Sequence, residues 1–260
     1  MTMNDSDKTV LAEGLCDLAE LAGAAILNIY DSDFEVRGKS DSSPVTDADE
    51  KAEQVILAGL AELTPDVPVV AEESVAAGRL PDISGGRFFL VDPLDGTKEF
   101  ISRNGEFTVN IALIENNQPT AGVVYLPARG ETFWTAGDGV AWRRRDGAAP
   151  ERIACRTAAD DGLVVVASRS HRDQKTDDYL ADFPVKELIS AGSSLKLCRV
   201  AEGAADMYPR LGRTMEWDIA AGHAVLAAAG GTVTTLDGTP LGYGKAGLDN
   251  PFFVARGLVG

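Results

Sequence analysis

Acidic residues gather at the points where hydrophobic segments of this chain end or helical ones begin. Asp47 and Asp49 stand in "VTDAD", Glu72 and Glu73 in "VVAEES", Asp92 and Asp95 in "FFLVDPLDGTKEF", and Asp218 in "EWDIAAG". Taken singly, each has an ordinary reading. Asp47 and Asp218 suit helix caps, "AEES" suits a solvated strand end, and "DPLDG" suits a type I turn. Taken together they suggest chemistry. Asp92 and Asp95 are three residues apart around a Pro-Leu step, which can aim both carboxylates into one space. Their repulsion there is relieved by a divalent cation, and oxygen-only ligands select hard ions such as Mg²⁺ or Mn²⁺ over zinc. Gly96 and Thr97 follow with backbone N–H groups and a hydroxyl suited to phosphate. The residues therefore point to metal-assisted phosphate chemistry, with a two-metal arrangement as its fullest form.

The elements that must position these groups can be read along the chain. Apolar side chains at helical spacing (Leu11, Leu15, Leu18, Leu21, Ile26, Ile29) predict a long amphipathic helix over 9–30. A second helix restarts at "VTDADEKAEQVILAGLAEL", with Thr46 and Asp47 as N-cap candidates. "PVVAEES" and "FFLV" read as strands. "EFTVNIALIE", "TAGVVYLP", "ETFWTA" and "GVAWRRR" then predict an antiparallel sheet with turn residues between them. From about residue 155 strands and helices alternate, ending with the helix "WDIAAGHAVLAAAGG" and the strands "TVTTL" and "FFVA". The expected class is α+β in the first half and α/β in the second. The division falls in 143–151, giving subdomains 1–150, with most of the acidic residues, and 151–260, with Asp218.

Composition narrows the function classes. The 260 residues carry a net charge of −16, which disfavours nucleic acid and anionic membrane as bulk partners. An anionic small molecule stays compatible when cations lie between it and the protein. Apolar residues make up 45%, yet no run approaches the roughly 18 to 20 residues of a membrane span. The first residues lack a signal-peptide pattern, and three scattered cysteines read as reduced thiols. A cytoplasmic location is expected, with peripheral contact to the inner membrane left open. Two histidines are too few for a multi-histidine zinc site.

The segments "VVAEES", "DPLDGTKEF" and "WDIAAGHAVLAAAGG", in that order and at that spacing, resemble the signature elements of the inositol monophosphatase superfamily. The resemblance implies a layered α-β-α-β-α fold and Mg²⁺-dependent phosphatase activity, with two or three ions per site, Mn²⁺ as a substitute, and Li⁺ and Ca²⁺ as inhibitors. It makes Glu72, Asp92, Asp95 and Asp218 metal-ligating carboxylates, joined by the backbone carbonyl of Leu94, with Glu73 a weaker candidate. Asp49 would help bind a further metal and, with Thr97, orient the attacking water, with Glu72 near it and no covalent intermediate. Gly96 and Thr97 would lie at the phosphate.

Within the superfamily, "SRSH" (168–171), "GSSLKLCRVAEG" (192–203), "YPRLG" (208–212) and "AAGHAVLAAAG" are similar to bacterial 3′(2′),5′-bisphosphate nucleotidases of sulfur assimilation. The implied substrate is adenosine 3′,5′-bisphosphate, hydrolysed at its 3′-phosphate, with 3′-phosphoadenylyl sulfate as a second one. A second phosphate needs protein cations and donors, for which Ser168, His171, Lys196, Arg210 and the backbone of Gly192, Ser193 and Ser194 are candidates. Arg210 is the most informative position, because a guanidinium suits a phosphate. The plainer readings stand beside these: Lys196 and Arg210 as balanced surface charges, His171 as a loop cap, Trp217 as packing, Met215 and Glu216 as loop residues at a pocket rim. Rival functions are an inositol 1-phosphate or fructose 1,6-bisphosphate phosphatase and, in another class, a non-catalytic phosphometabolite sensor. Monomer and homodimer are both compatible.

Overall fold

The computed structural model describes residues 5–38, 44–168 and 174–258. The elements run α1 (Asp5–Tyr30), β1 (Arg37–Gly38), β2 (Pro44–Val45), α2 (Asp47–Leu63), β3 (Val69–Ala71), α3 (Glu72–Ala76), β4 (Arg87–Asp95) and α4 (Thr97–Ile101). Next come β5 (Thr108–Glu115), β6 (Gln118–Leu126), β7 (Glu131–Thr135), β8 (Ala141–Arg145) and β9 (Glu151–Ile153). The second half adds β10 (Leu163–Ser168), α5 (Gln174–Leu180), β11 (Val185–Ala191), α6 (Leu195–Ala201), β12 (Met207–Arg210), α7 (Glu216–Ala228), β13 (Thr232–Thr235) and β14 (Phe253–Arg256).

A seven-stranded sheet takes the order β3-β4-β5-β6-β7-β8-β9, antiparallel except for the parallel pair β3–β4. A five-stranded sheet takes the order β11-β10-β12-β14-β13 and is mixed. Helices α1 and α2 cover the outer face of the larger sheet, α6 and α7 lie between the sheets, and α5 packs on the outer face of the smaller one. The layering is thus α-β-α-β-α, as expected.

Strand β4 shows why its apolar run is unbroken. Both of its faces are buried, so alternate side chains serve different cores. Phe89 and Val91 join the α1–α2 core, while Phe88 and Leu90 join the core around α6 and α7. On α1, Leu11, Leu15, Ile26 and Ile29 are buried as the spacing predicts, but Leu21 turns out to solvent at 59% exposure. Helix α7 is apolar on almost every side because it is packed against both sheets. The larger sheet continues to Ile153, past the division expected near 150, and the core around α6 and α7 draws residues from both halves. The buried Arg143 guanidinium bridges the halves, 2.8 Å from Glu131 and 2.7 Å from Glu202. Cys16, Cys155 and Cys198 are free and buried, and burial raises all three thiol pKa values. Among the described residues no helix is long and apolar enough to cross a membrane.

His223 in α7 gives the fold a pH dependence. It is buried, its Nδ1 lies 2.8 Å from the Tyr243 hydroxyl, and burial depresses its pKa to about 4. The unfolded imidazole titrates near 6.5, so the unfolded chain binds the proton first as pH falls. The stabilising contribution is therefore full above about 6.5, declines below it and is gone below about 4, at a limit of roughly 3 kcal/mol. Urea unfolding at about pH 7 and about pH 4.5 should show a smaller loss for His223→Gln than for the natural chain. Equal losses would rule out His223 as the source.

Candidate active site

Strand and helix ends from both halves converge on one cleft of about 400 Å³, within the usual range for small-ligand sites. From the first half Glu72, Asp95, Gly96 and Thr97 line it, and from the second Ser168, Ser193, Ser194, Lys196, Arg210 and Asp218 do so. Asp49, Asp92 and Leu94 lie behind this surface, each 2% exposed. His171 lies outside the described residues.

The carboxylates are held by local backbone devices. "DPLD" is not a free turn but the end of β4, where Asp92 pairs with Asn110 and Asp95 with Thr108. Three steps on β4 thus face two on β5. This bulge re-aims Asp95 and accommodates Pro93, which has no N–H to give the ladder. The Asp92 Oδ1 accepts the Leu94 N–H at 3.1 Å. Gly96 follows in the left-handed region, at φ 90°, and sends the chain into α4. Glu72 opens α3, an element the sequence did not reveal. Its start is fixed by buried Glu53, which accepts the Glu73 N–H at 2.7 Å and the Ser74 hydroxyl at 2.6 Å. Asp218 sits in the first turn of α7 and accepts the Met215 N–H at 2.9 Å.

Thr46 is the cap of α2. Asp49 Oδ2 accepts from both its backbone N–H and its hydroxyl at 2.8 Å. The other oxygen, Oδ1, accepts from the Thr97 hydroxyl at 3.3 Å. Asp49 and Thr97 are thus joined by a hydrogen bond. Asp47, by contrast, is exposed and paired with Arg37 at 2.8 Å.

The electrostatics are those of like charges confined in a dry site. Burial raises the pKa of Asp95; Lys196 pulls it back and Glu99 pushes it further up. Burial, then Asp95 and Glu72, raise that of Asp218 well above the usual carboxylate range. Among the described residues no three His, Cys, Asp or Glu side chains already stand in metal-coordinating geometry. Asp92, Asp95 and Asp218 are hydrogen-bonded to protein donors instead. The expected ligands are gathered without forming a closed cage. The donor set nevertheless fits a hard cation: oxygen only, and mutually repelling in Asp95 and Asp218. Beside it, the Asn110 side-chain amide and the Thr108 hydroxyl are buried without a partner among the described residues.

The same cleft also holds cationic side chains. Lys196 is buried, not a surface charge. Burial lowers its pKa to about 8; Asp95 works against the shift and Arg210 adds to it. Its Nζ donates to the Ser193 carbonyl at 2.5 Å and lies 5.5 Å from the Tyr208 ring centre. Arg210 donates through Nη2 to the Arg213 carbonyl at 3.0 Å, while its Nε is buried with no partner among the described residues.

Two readings need correction. The Gly192 N–H, expected to face phosphate or ribose, donates to Glu106 Oε2 at 2.8 Å, and Gly192 does not line the cleft. Glu216 is not loop filler at the rim. It is fully buried and accepts the N–H groups of Gly244 at 2.7 Å and Lys245 at 2.9 Å, with the Lys245 ammonium at 2.6 Å. Trp217 is packed in the core as expected. The cleft also includes Lys98, Glu99, Tyr208, Arg213 and Thr214, which the sequence reading did not single out. Each lies inside or within a few residues of a quoted motif, which was the available signal.

Comparison with known proteins agrees with this arrangement. The inositol monophosphatase family model matches residues 7–255. The chain is 48% identical over 235 residues to 3′(2′),5′-bisphosphate nucleotidase CysQ of Escherichia coli K12, covering 90% of this chain and 94% of that one. The crystal structure of CysQ from Bacteroides thetaiotaomicron superposes with a TM-score of 0.80 at 41% identity, covering 95% of this chain and 97% of that one. The Thermotoga maritima IMPase structure gives 0.75 at 25% identity, covering 92% and 89%. The match along the chain, the shared layering and the convergence of the motif carboxylates on one cleft lead to one conclusion: the chain belongs to the inositol monophosphatase family.

Proposed function

We propose that this protein is a Mg²⁺-dependent 3′(2′),5′-bisphosphate nucleotidase. It removes the 3′-phosphate of adenosine 3′,5′-bisphosphate to give AMP and phosphate, with 3′-phosphoadenylyl sulfate as a further substrate. The observation that carries the reading is that one cleft gathers carboxylates and cations together. Glu72, Asp95 and Asp218 line it alongside Lys196 and Arg210. A substrate with two phosphates needs both, one held through cations and one by the protein directly. The nucleotide itself is inferred from the relatives named CysQ.

Glu72, Asp92, Asp95, Asp218 and the Leu94 carbonyl would hold the ions, two or three in number. Mg²⁺ there supplies charge stabilisation for the phosphoryl group and lowers the pKa of a water. The chain's own residues do the rest. Asp49 accepts a hydrogen bond from the Thr97 hydroxyl, which leaves the Thr97 oxygen lone pairs free to accept one from the attacking water. Glu72, which lines the same cleft as Thr97, helps to place that water. Lys196 and Arg210 face the second phosphate, with Ser168 lining the same cleft; the Ser194 hydroxyl is engaged with Asp95 and the Asp218 carbonyl. Leu197 and Ile219 supply an apolar part of the lining.

A phosphate-release panel tests the reading. With Mg²⁺, kcat/KM on adenosine 3′,5′-bisphosphate should exceed that on inositol 1-phosphate or fructose 1,6-bisphosphate by at least about tenfold. Li⁺ should inhibit at millimolar levels or below. Equal or faster turnover of inositol 1-phosphate would overturn the substrate assignment. Tight nucleotide binding with no turnover would replace the enzyme with a sensor.

A further inference from the structure

The two halves of the cleft are joined through the 192–194 loop, with Ser193 at its centre. Ser193 is a non-glycine residue in the left-handed region, at φ 47°, a conformation disfavoured for a residue with a Cβ. Its hydroxyl lies 2.8 Å from the Asp95 carbonyl oxygen and 2.7 Å from that of Glu106, so one proton is shared between them. Next to it, the Gly192 N–H donates to the Glu106 carboxylate at 2.8 Å, which is paired on its other oxygen with Arg129 at 2.7 Å. On the far side, a Cβ placed on Gly96 would stand 2.1 Å from the Ser193 oxygen. The serine therefore occupies the space that Gly96 leaves open.

The consequence falls on Asp95. With Ser193 fixed, Ser194 is set so that its hydroxyl reaches Asp95 Oδ2 at 3.1 Å and the Asp218 carbonyl at 2.6 Å. We infer that Ser193 and Glu106 form a latch that positions the 192–194 loop, and through Ser194 the Asp95 carboxylate, for cation binding. They are positioning residues. The strained backbone of Ser193 supports this, since a glycine would fit that conformation with less strain but could not make the bond. The inference rests on the proposed assignment of Asp95 as a metal-holding carboxylate.

Ser193→Gly separates the latch from general stability. The glycine relieves the left-handed backbone, so the melting temperature should not fall. The turnover number on adenosine 3′,5′-bisphosphate should drop about tenfold, and Mg²⁺ binding measured by calorimetry should weaken several-fold, the scale of one lost hydrogen bond at a buried site. Glu106→Gln keeps an acceptor for Gly192 and should stay closer to the natural enzyme than Glu106→Ala. Unchanged Mg²⁺ affinity in both Ser193→Gly and Glu106→Ala overturns the latch, whether or not their stability changes. If the natural enzyme does not hydrolyse this nucleotide, the proposed function fails, and Mg²⁺ calorimetry still decides the latch.

Discussion

Asp95→Asn is expected to lower kcat by at least about a hundredfold, the usual scale for losing a charge-stabilising group. The change is close to isosteric. Asn keeps an oxygen that can accept the Ser194 hydroxyl, and its backbone carbonyl still meets Ser193. Folding should be retained, so the effect reports charge. That charge is held in place at a cost: burial raises the Asp95 pKa, and nearby Glu99 raises it further. Removing it relieves repulsion with Asp218 and Glu99 but takes a charge partner from buried Lys196, so thermal stability without Mg²⁺ should stay nearly level while the Mg²⁺ concentration for half-maximal activity increases. That combination separates a functional carboxylate from a structural one. Asp47→Asn is the control. Asp47 is 66% exposed in its side chain and paired with Arg37, which also holds Glu50, an arrangement of small energetic worth. It should behave as the natural enzyme does. Near-normal turnover of Asp95→Asn would remove Asp95 from the cation site.

This contrast also marks where sequence reading is strong. Asp92 and Asp95 stood out because they end a strand buried on both faces, where unpaired charge is costly. Most strands and helices were legible for the same reason, since apolar periodicity reflects burial. The elements missed were short: β1, β2, α3, α4 and β9 have too few residues to show a period. Supporting carboxylates were missed for another reason. Glu53, Glu106 and Glu216 look like solvated acids in the sequence, yet each is buried and satisfied by backbone N–H groups 20, 86 and 28 or 29 residues away. No local pattern encodes such a partner, because it is brought close only by tertiary packing. The Gly192 amide was misread on the same account: its acceptor comes from the other half of the chain.

Thr97→Ala and Asp49→Asn should each lower kcat by about two to three orders of magnitude, with KM changed much less, as for loss of a group that manages a proton in the transition state. The geometry explains why the two should act as one. Asp49 Oδ2 is committed to Thr46, which supplies two donors at 2.8 Å. Only Oδ1 remains for the Thr97 hydroxyl, at 3.3 Å. An asparagine at 49 cannot serve both sides. If its oxygen faces the Thr46 donors, its NH₂ faces Thr97. The Thr97 hydroxyl must then turn its own proton outward, toward the position of the water it should accept from. If the amide is flipped, two N–H donors oppose each other at Thr46, at a cost of about 1–3 kcal/mol for a buried unsatisfied group. Asp49→Asn therefore reverses the polarity of the Thr97 hydroxyl, and Thr97→Ala deletes it. The double variant should be no slower than the slower single one, because a proton path broken once is not broken further. Multiplicative losses in that double variant would show Asp49 and Thr97 acting independently. Asp49 would then be a cap for α2 that happens to lie behind the cleft.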